Sequence, residues 1–286
     1  AACARHKIDV LVPTVDDELR RLAEARSSFG RLGTAVLIAE PAAVAPCLDI
    51  LALVERFRGR VPIPRTAVLD ASLRPSELRF PLVMRARQPA HDQGVHLVLD
   101  RSALAGIAYD PAFVVQEYLG GTEYEVQILG TQKGEIRGVV PIASMGAGSG
   151  VAAVRRTVQH ALVETLARTV YFELGLRGPA SICFREDKKG RPHLLAVHPR
   201  VGAGTHLAAA AGVPIGPESV RELLGMPSGP VALPIREIAC VTIAREELVP
   251  LRALDAEVHE PVPATLPSND APDELRSSGK LSLLLH

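Results

Sequence analysis

The 286-residue chain has no tryptophan, and aromatic residues make up only 3% of it, although 47% is hydrophobic. Alanine, valine and leucine must therefore build the core. The apolar runs are short and broken by proline or charge, so no membrane-spanning helix is expected. No charged-then-apolar segment opens the chain, so no signal peptide is expected either. Neither sign of charge is in excess: Lys+Arg and Asp+Glu are both 32. There is no general basic field to attract nucleic acid. The four cysteines, Cys3, Cys47, Cys183 and Cys240, are widely spaced and form no CxxC pair. This suits reduced thiols in a cytoplasmic protein, not a disulfide frame or a zinc knuckle. The length suffices for two or three domains.

Residues 8–12 (IDVLV) and 34–38 (TAVLI) have the composition of buried strands, and PTVDDELRRLAEARSSFG between them has that of a helix. Thr14 or Asp16 can cap this helix, Leu19, Leu22 and Ala23 share a face, and Gly30 lies past its end. The Asp16–Asp17 pair suits a helix N-terminus better than a catalytic dyad. Strand, helix and strand at this spacing predict a parallel α/β unit, with more of that unit expected in front of it. Residues 46–57 predict a helix, and VPIPRT (61–66) a proline-stiffened boundary. FPLVMR (80–85), VHLVL (95–99) and FVVQEY (113–118) predict strands. In the next strand Tyr124, Val126 and Ile128 face one way and Glu123, Glu125 and Gln127 the other, and GEIRGVVPI (134–142) should pair with it as a hairpin. The four-residue recurrence of Val154, Val158, Leu162, Leu166 and Val170 predicts one helix over 153–174, closed by Gly175. ASICF and HLLAVH form a second hairpin about Gly190, with Cys183 opposite Ala196 and near His198. VALPIREIACVTIA (231–244) is the last expected strand region, and residues 261–286 are expected to be poorly ordered.

Four segments in this order, FPLVMR, VVQEYLGGTEYEV, GLRGPASICF-REDKKG-RPHLLAVHPRVGAGT and the preceding PTVDDEL, resemble the ATP-grasp superfamily, in particular the carbamoyl-phosphate-synthase-like and related carboxylate–amine ligases. The likeness covers roughly residues 8–216. It implies a mixed α/β and α+β fold: a partial open parallel unit (1–45), an ATP-grasp module (46–216, with lobes of about 67–116 and 117–216), and a C-terminal appendage (217–286). It also implies roles. Arg85 would meet the ATP phosphates, a task suited to a bidentate guanidinium. Glu117, Tyr118 and Leu119 would bind adenine through backbone groups, and Glu123 would accept from the ribose hydroxyls. Arg200 would touch the transferred phosphate, unless it pairs with Glu117 or Glu123. ATP is the implied cofactor, and a small carboxylate and an amine are the implied substrates. A homo-oligomer is one expected assembly; nucleic acid and membrane are not expected partners.

Several positions depart from that pattern. The family places oxygen ligands for Mg²⁺ where this chain has Cys183, Ala196 and His198, so no metal ligand set is assigned and magnesium is in doubt. The usually glycine-rich phosphate loop contains Pro89 and a single glycine, Gly94. A lysine expected after Cys47 corresponds to Ile50, and an arginine expected after Pro141 to Ile142. Three functions remain open at this point. One is a ligase acting through an acyl phosphate. Another is a catalytically inactive domain with a structural or regulatory partner. The third is altered chemistry at Cys183 and His198, as a soft-metal site or a nucleophile–base pair; its plain alternative is a buried apolar thiol beside a hydrogen-bonded histidine. His160 and His206 are expected to be structural.

Overall fold

The computed structural model describes residues 2–88, 94–145, 152–243 and 283–285. Along the chain it opens with α1 (Ala2–Arg5), β1 (Val10–Val12), α2 (Asp16–Arg31), β2 (Ala35–Val36) and α3 (Pro41–Val44), then a 3₁₀ turn (Ala45–Leu48) and α4 (Ile50–Phe57). Strands β1 and β2 are parallel, as expected, and β13 (Leu283–Leu285) adds a third parallel strand on the other side of β1. So part of the 261–286 stretch is strand; the rest of it lies outside the described residues. The helix expected over 46–57 starts properly only at Ile50. Asp49 stops the preceding turn and caps α4, its Oδ1 accepting from the Leu51 and Ala52 amides at 2.9 and 3.3 Å. At the start of α2 neither Thr14 nor Asp16 caps. The N-cap is Val15, and Glu18 reaches back to accept from the Thr14 amide at 3.0 Å.

A four-stranded antiparallel sheet follows. It is built from β3 (Thr66–Val68), β4 (Leu82–Ala86), β5 (His96–Val98) and β6 (Phe113–Glu117), in the order β3-β6-β4-β5, with α5 (Arg101–Ala105) between β5 and β6. Its core gathers Leu69, Leu73, Leu82, Val98, Leu104 and Val115.

The largest sheet has six strands in the order β11-β10-β7-β8-β9-β12. These are β7 (Glu123–Gly130), β8 (Ile136–Met145), β9 (Ala152–Thr157), β10 (Ala180–Glu186), β11 (Pro192–His198) and β12 (Ala239–Ile243), and α6 (Ala161–Glu173), α7 (Thr205–Ala210) and α8 (Ile215–Leu223) complete the described elements. Both expected hairpins form, β7 with β8 and β10 with β11. Cys183 lies opposite Ala196, at a bulge between Cys183 and Phe184. One face of the sheet carries Tyr124, Val126, Ile128, Ile182 and Phe184, which pack with Val163, Ala167, Val170 and Tyr171 of α6. Toward one end of the other face, Leu129, Val140 and Ile142 pack with Leu207, Ala208 and Ala211 around α7.

The single helix expected over 153–174 is not formed. Ala152–Thr157 is strand β9, paired with both β8 and β12, and α6 begins at Ala161. The four-residue spacing of Val154, Val158 and Leu162 mimicked a helix face, but Leu162 is 51% exposed. Pairing with distant strands outweighs so weak a local signal. His160 starts the true helix, its Nδ1 accepting from the Val163 amide at 3.3 Å. The face that packs is Val163, Ala167, Val170 and Tyr171, and the Tyr171 hydroxyl, fully buried, donates to the Gly178 carbonyl at 2.9 Å. A Cβ at Gly130 would collide with that hydroxyl, so the sheet bulges there around glycine. Tyr171→Phe leaves this buried acceptor short of a donor and should cost about 1–3 kcal/mol, read as a lower midpoint in urea denaturation with an unchanged slope.

Candidate functional site

The site begins with the alternation of β7. Because Tyr124, Val126 and Ile128 turn toward α6, Glu123, Glu125 and Gln127 must turn to the opposite face. Pairing places Arg185, Cys183 and Ser181 of β10 beside them, in that order. Across β10, Ser181 lies opposite His198 and Cys183 opposite Ala196. A polar patch is thus assembled from three strands by register alone. Glu125 sits at its centre. It accepts from Ser181 Oγ at 2.8 Å and Gln127 Nε2 at 2.6 Å, and forms an ion pair with Arg155 of β9. Beyond His198 the chain crosses this patch: a Cβ on Gly202 or on Gly204 would come within 2.9 Å of Gln127 Nε2. Glycine is what allows so close a crossing.

One carboxylate fixes the end of the patch. Asp16, in the first turn of α2, meets His198 Nδ1 at 2.8 Å and accepts from Arg200 Nε at 2.7 Å and Nη2 at 3.2 Å. Burial disfavours its charge, but the hydrogen bonds from His198 and Arg200 outweigh burial and hold its carboxyl well below the usual range. Burial likewise opposes charge on His198, yet the hydrogen bonds to Asp16 and Cys183 push its imidazole up to about 10. At neutral pH His198 is an imidazolium, with Nδ1 on Asp16 and the other side of the ring toward Cys183.

The four-stranded sheet faces this floor. Arg85 of β4 lines the same cavity as His198, and burial holds its guanidinium below the usual range while Cys183 works the other way. Among the described residues no carboxylate lies within ion-pair distance of Arg85. Its neighbour Arg87 is fully engaged: Nε and Nη2 clamp Asp49 at 3.0 and 2.8 Å. A cavity of about 280 Å³ lies between, lined by Asp16, Cys47, Asp49, Arg85, Arg87 and His198 among others. The Cys47 thiol, which donates to the Ala43 carbonyl at 3.2 Å, is pushed up by burial and by the Asp16 charge, so it is an inert wall.

The other expected residues are placed apart from this cavity. Glu117, the last residue of β6, and Tyr118 and Leu119 after it line a separate cavity of about 700 Å³, shared with the hairpin turn at Lys188 and Lys189. Glu123 lies 3.6 Å from Arg185, whose guanidinium stands 5.4 Å over the Tyr118 ring. Arg85 and His198 are therefore brought together, whereas the Glu117–Leu119 segment and Glu123 form a neighbouring group. Arg200 pairs with neither Glu117 nor Glu123; its partner is Asp16, which turns the expected helix-start acid into the hub of the site. Ile142 is fully buried, and the cation near Glu125 comes instead from Arg155, which the helix expected over 153–174 concealed. Ile50 is also buried, and its amide donates to the Arg87 carbonyl at 3.0 Å. His206 Nδ1 bonds the Ala203 carbonyl at 2.9 Å, a local structural contact. The loop around Pro89 lies outside the described residues. Asp49 and Arg87 carried no motif; the one available signal was an acid just before a helix start.

The Asp16–His198 bond predicts a pH dependence. His198 binds its proton more tightly in the folded than in the unfolded chain, so its contribution is complete below its ordinary 6.5 and is lost as pH rises toward about 10. Asp16 acts oppositely: its contribution holds above its ordinary 3.8 and is lost in stronger acid. Urea midpoints of the wild type should fall between these His198 limits more steeply than those of His198→Gln. Parallel curves would show that the bond does not form.

A family model described as ATP-grasp in the biosynthetic pathway with Ter operon matches residues 109–245. A D-alanine–D-alanine ligase of Pelotomaculum thermopropionicum is 28% identical, over 52% of this chain and 54% of its own length. Among solved structures, an L-amino acid ligase from Bacillus licheniformis superposes with TM-score 0.61 at 17% identity, covering 78% of this chain and 58% of that one. Biotin carboxylase from Campylobacter jejuni, crystallised as a β,γ-ATP complex, gives 0.67 at 14%, with 84% and 60% covered. The chain spans about half the length of the curated relative it matches. Its mixed helices and antiparallel sheets are thus those of the ATP-grasp fold, and in sequence and structure it resembles the carboxylate–amine ligases of that superfamily.

Proposed function

We propose that this chain binds a nucleotide, ATP by family resemblance, against a floor of fixed side-chain cations in place of a magnesium site. The observation that carries this reading is the pair of cations on one cavity: Arg85, without a carboxylate partner among the described residues, and the His198 imidazolium pinned by Asp16. Arg85 would take phosphate oxygens in a bidentate contact. The backbone of Glu117 to Leu119 would meet adenine and Glu123 the ribose, once Glu123 leaves Arg185. Arg200 acts as a positioning residue for Asp16 and His198. In this proposal residues 46–216 are the nucleotide module, 1–45 the preceding unit and 217–286 an appendage.

Magnesium does not fit the donors available. The hairpin offers a thiol, a methyl group and a cationic imidazole at Cys183, Ala196 and His198, where a hard ion wants oxygens. Among the described residues no three His, Cys, Asp or Glu side chains are grouped so as to hold a metal. Phosphoryl transfer relies on neutralising phosphate charge. Here Arg85 and His198 would supply that neutralisation to a bound nucleotide without completing the transfer site. Such a protein would serve a structural or regulatory partner, a second copy of itself included, and a cytoplasmic location suits its unpaired cysteines. The ligase relatives favour a second reading, in which a small carboxylate is activated as an acyl phosphate and passed to an amine.

A thermal-shift titration separates the two. ATP at a hundred times its dissociation constant should add about 2.7 kcal/mol of stability, equally with EDTA or with magnesium, and Arg85→Met should remove the shift. A shift that requires magnesium would overturn the cationic-floor reading in favour of the ligase.

A further inference from the structure

An apolar stripe adjoins the cavity that Arg85 and His198 line. β5 is the outer strand of the four-stranded sheet, with β4 on one side and, among the described residues, no strand on the other. Val95, Leu97 and Leu99 alternate along this stretch and are 69%, 54% and 64% exposed, while Val98 is buried in the core of the sheet. Among the described residues no other strand exposes three large apolar side chains in alternation. Register fixes the way the stripe turns. Leu97 lies opposite Val83 of β4, so the two share a face, and Arg85, two residues on from Val83, shares it as well. Val95 agrees with this, because it lines the same cavity as Arg85 and His198. A single exposed apolar side chain is ordinary. Three in alternation, over about 13 Å of strand, call for a cover. Charge and hydrocarbon side by side specify what that cover is: an anionic head at the cations and an apolar body along β5.

We propose that the cavity takes an aliphatic carboxylate, its head on Arg85 and His198 and its alkyl chain along Val95, Leu97 and Leu99. The inference rests on the cationic floor proposed above and adds the apolar half of the ligand. Arg85 can give a carboxylate two parallel N–H donors. His198, held through Nδ1 by Asp16, adds the second positive charge. The stripe covers one side of the chain only, so each methylene gains about half of what full burial gives. Charge is thus recognised by the cavity and chain length by β5.

The test titrates the full chain with acetate, butyrate, hexanoate and octanoate, followed by NMR. Affinity should rise about twofold per methylene. Octyl glucoside, which has the same chain length and no charge, should bind at least about tenfold more weakly than octanoate. In the double variant Leu97→Ser/Leu99→Ser, at two exposed positions, the series should flatten; Val95→Ser should lower its slope in case the double variant folds poorly. Equal affinity across the series overturns the proposal, and so does a slope unchanged in both variants. Binding to phosphatidylglycerol vesicles without binding of monomeric octanoate overturns it in favour of a membrane surface. ATP binding beside a flat carboxylate series leaves the nucleotide reading standing and removes this one; a rising series with no response to ATP does the reverse.

Discussion

The Asp16 carboxylate is the constraint on which the site depends. It belongs to the first turn of α2, yet its partners, His198 and Arg200, come from the end of β11, more than 180 positions later. The bond joins the parallel sheet at the start of the chain to the largest antiparallel sheet, where Val10, Val12 and Leu37 also pack with Val220. A carboxylate shared by two cations in a half-buried place is costly to leave unpaired. Loss of either partner therefore disturbs both the junction and the orientation of the imidazole.

The same bond decides the electrostatics of the cleft. A histidine held by a half-buried carboxylate stays charged, so the end of the hairpin carries a cation. Arg85 adds a second positive group from the facing sheet, and Glu125 is already satisfied by Arg155, Ser181 and Gln127. Two positive groups on one cavity favour an anion there. The fold is that of ATP-grasp proteins, with its two antiparallel sheets and hairpins, and its glycine crossing passes close over Gln127.

Much of the frame was legible in the sequence because its signals are local. The alternation from Glu123 to Ile128, the glycine turns and the two hairpins follow from side-chain period and turn chemistry, and the opposition of Cys183 and Ala196 follows from the turn. What was not legible depends on distance. Strand β9 was hidden because Val154 and Val158 happen to fall four residues apart, and only its partners β8 and β12 make it a strand. The role of Asp16 was hidden because an acid in a first helical turn is explained without any partner. Arg155 was lost with β9, and Arg200 was matched to Glu117 or Glu123 when its partner lay in the first turn of α2.

The central claim, that His198 is a pinned cation in the cleft, is tested most directly by its own titration. Nitrogen-15 spectra of the imidazole, assigned with His198→Gln, report which ring nitrogens carry protons. The account predicts that His198 carries a proton on both ring nitrogens at neutral pH and gives one of them up only as pH approaches about 10. A neutral ring at pH 7, with a midpoint near the ordinary 6.5, would contradict it and remove the basis for the cationic floor.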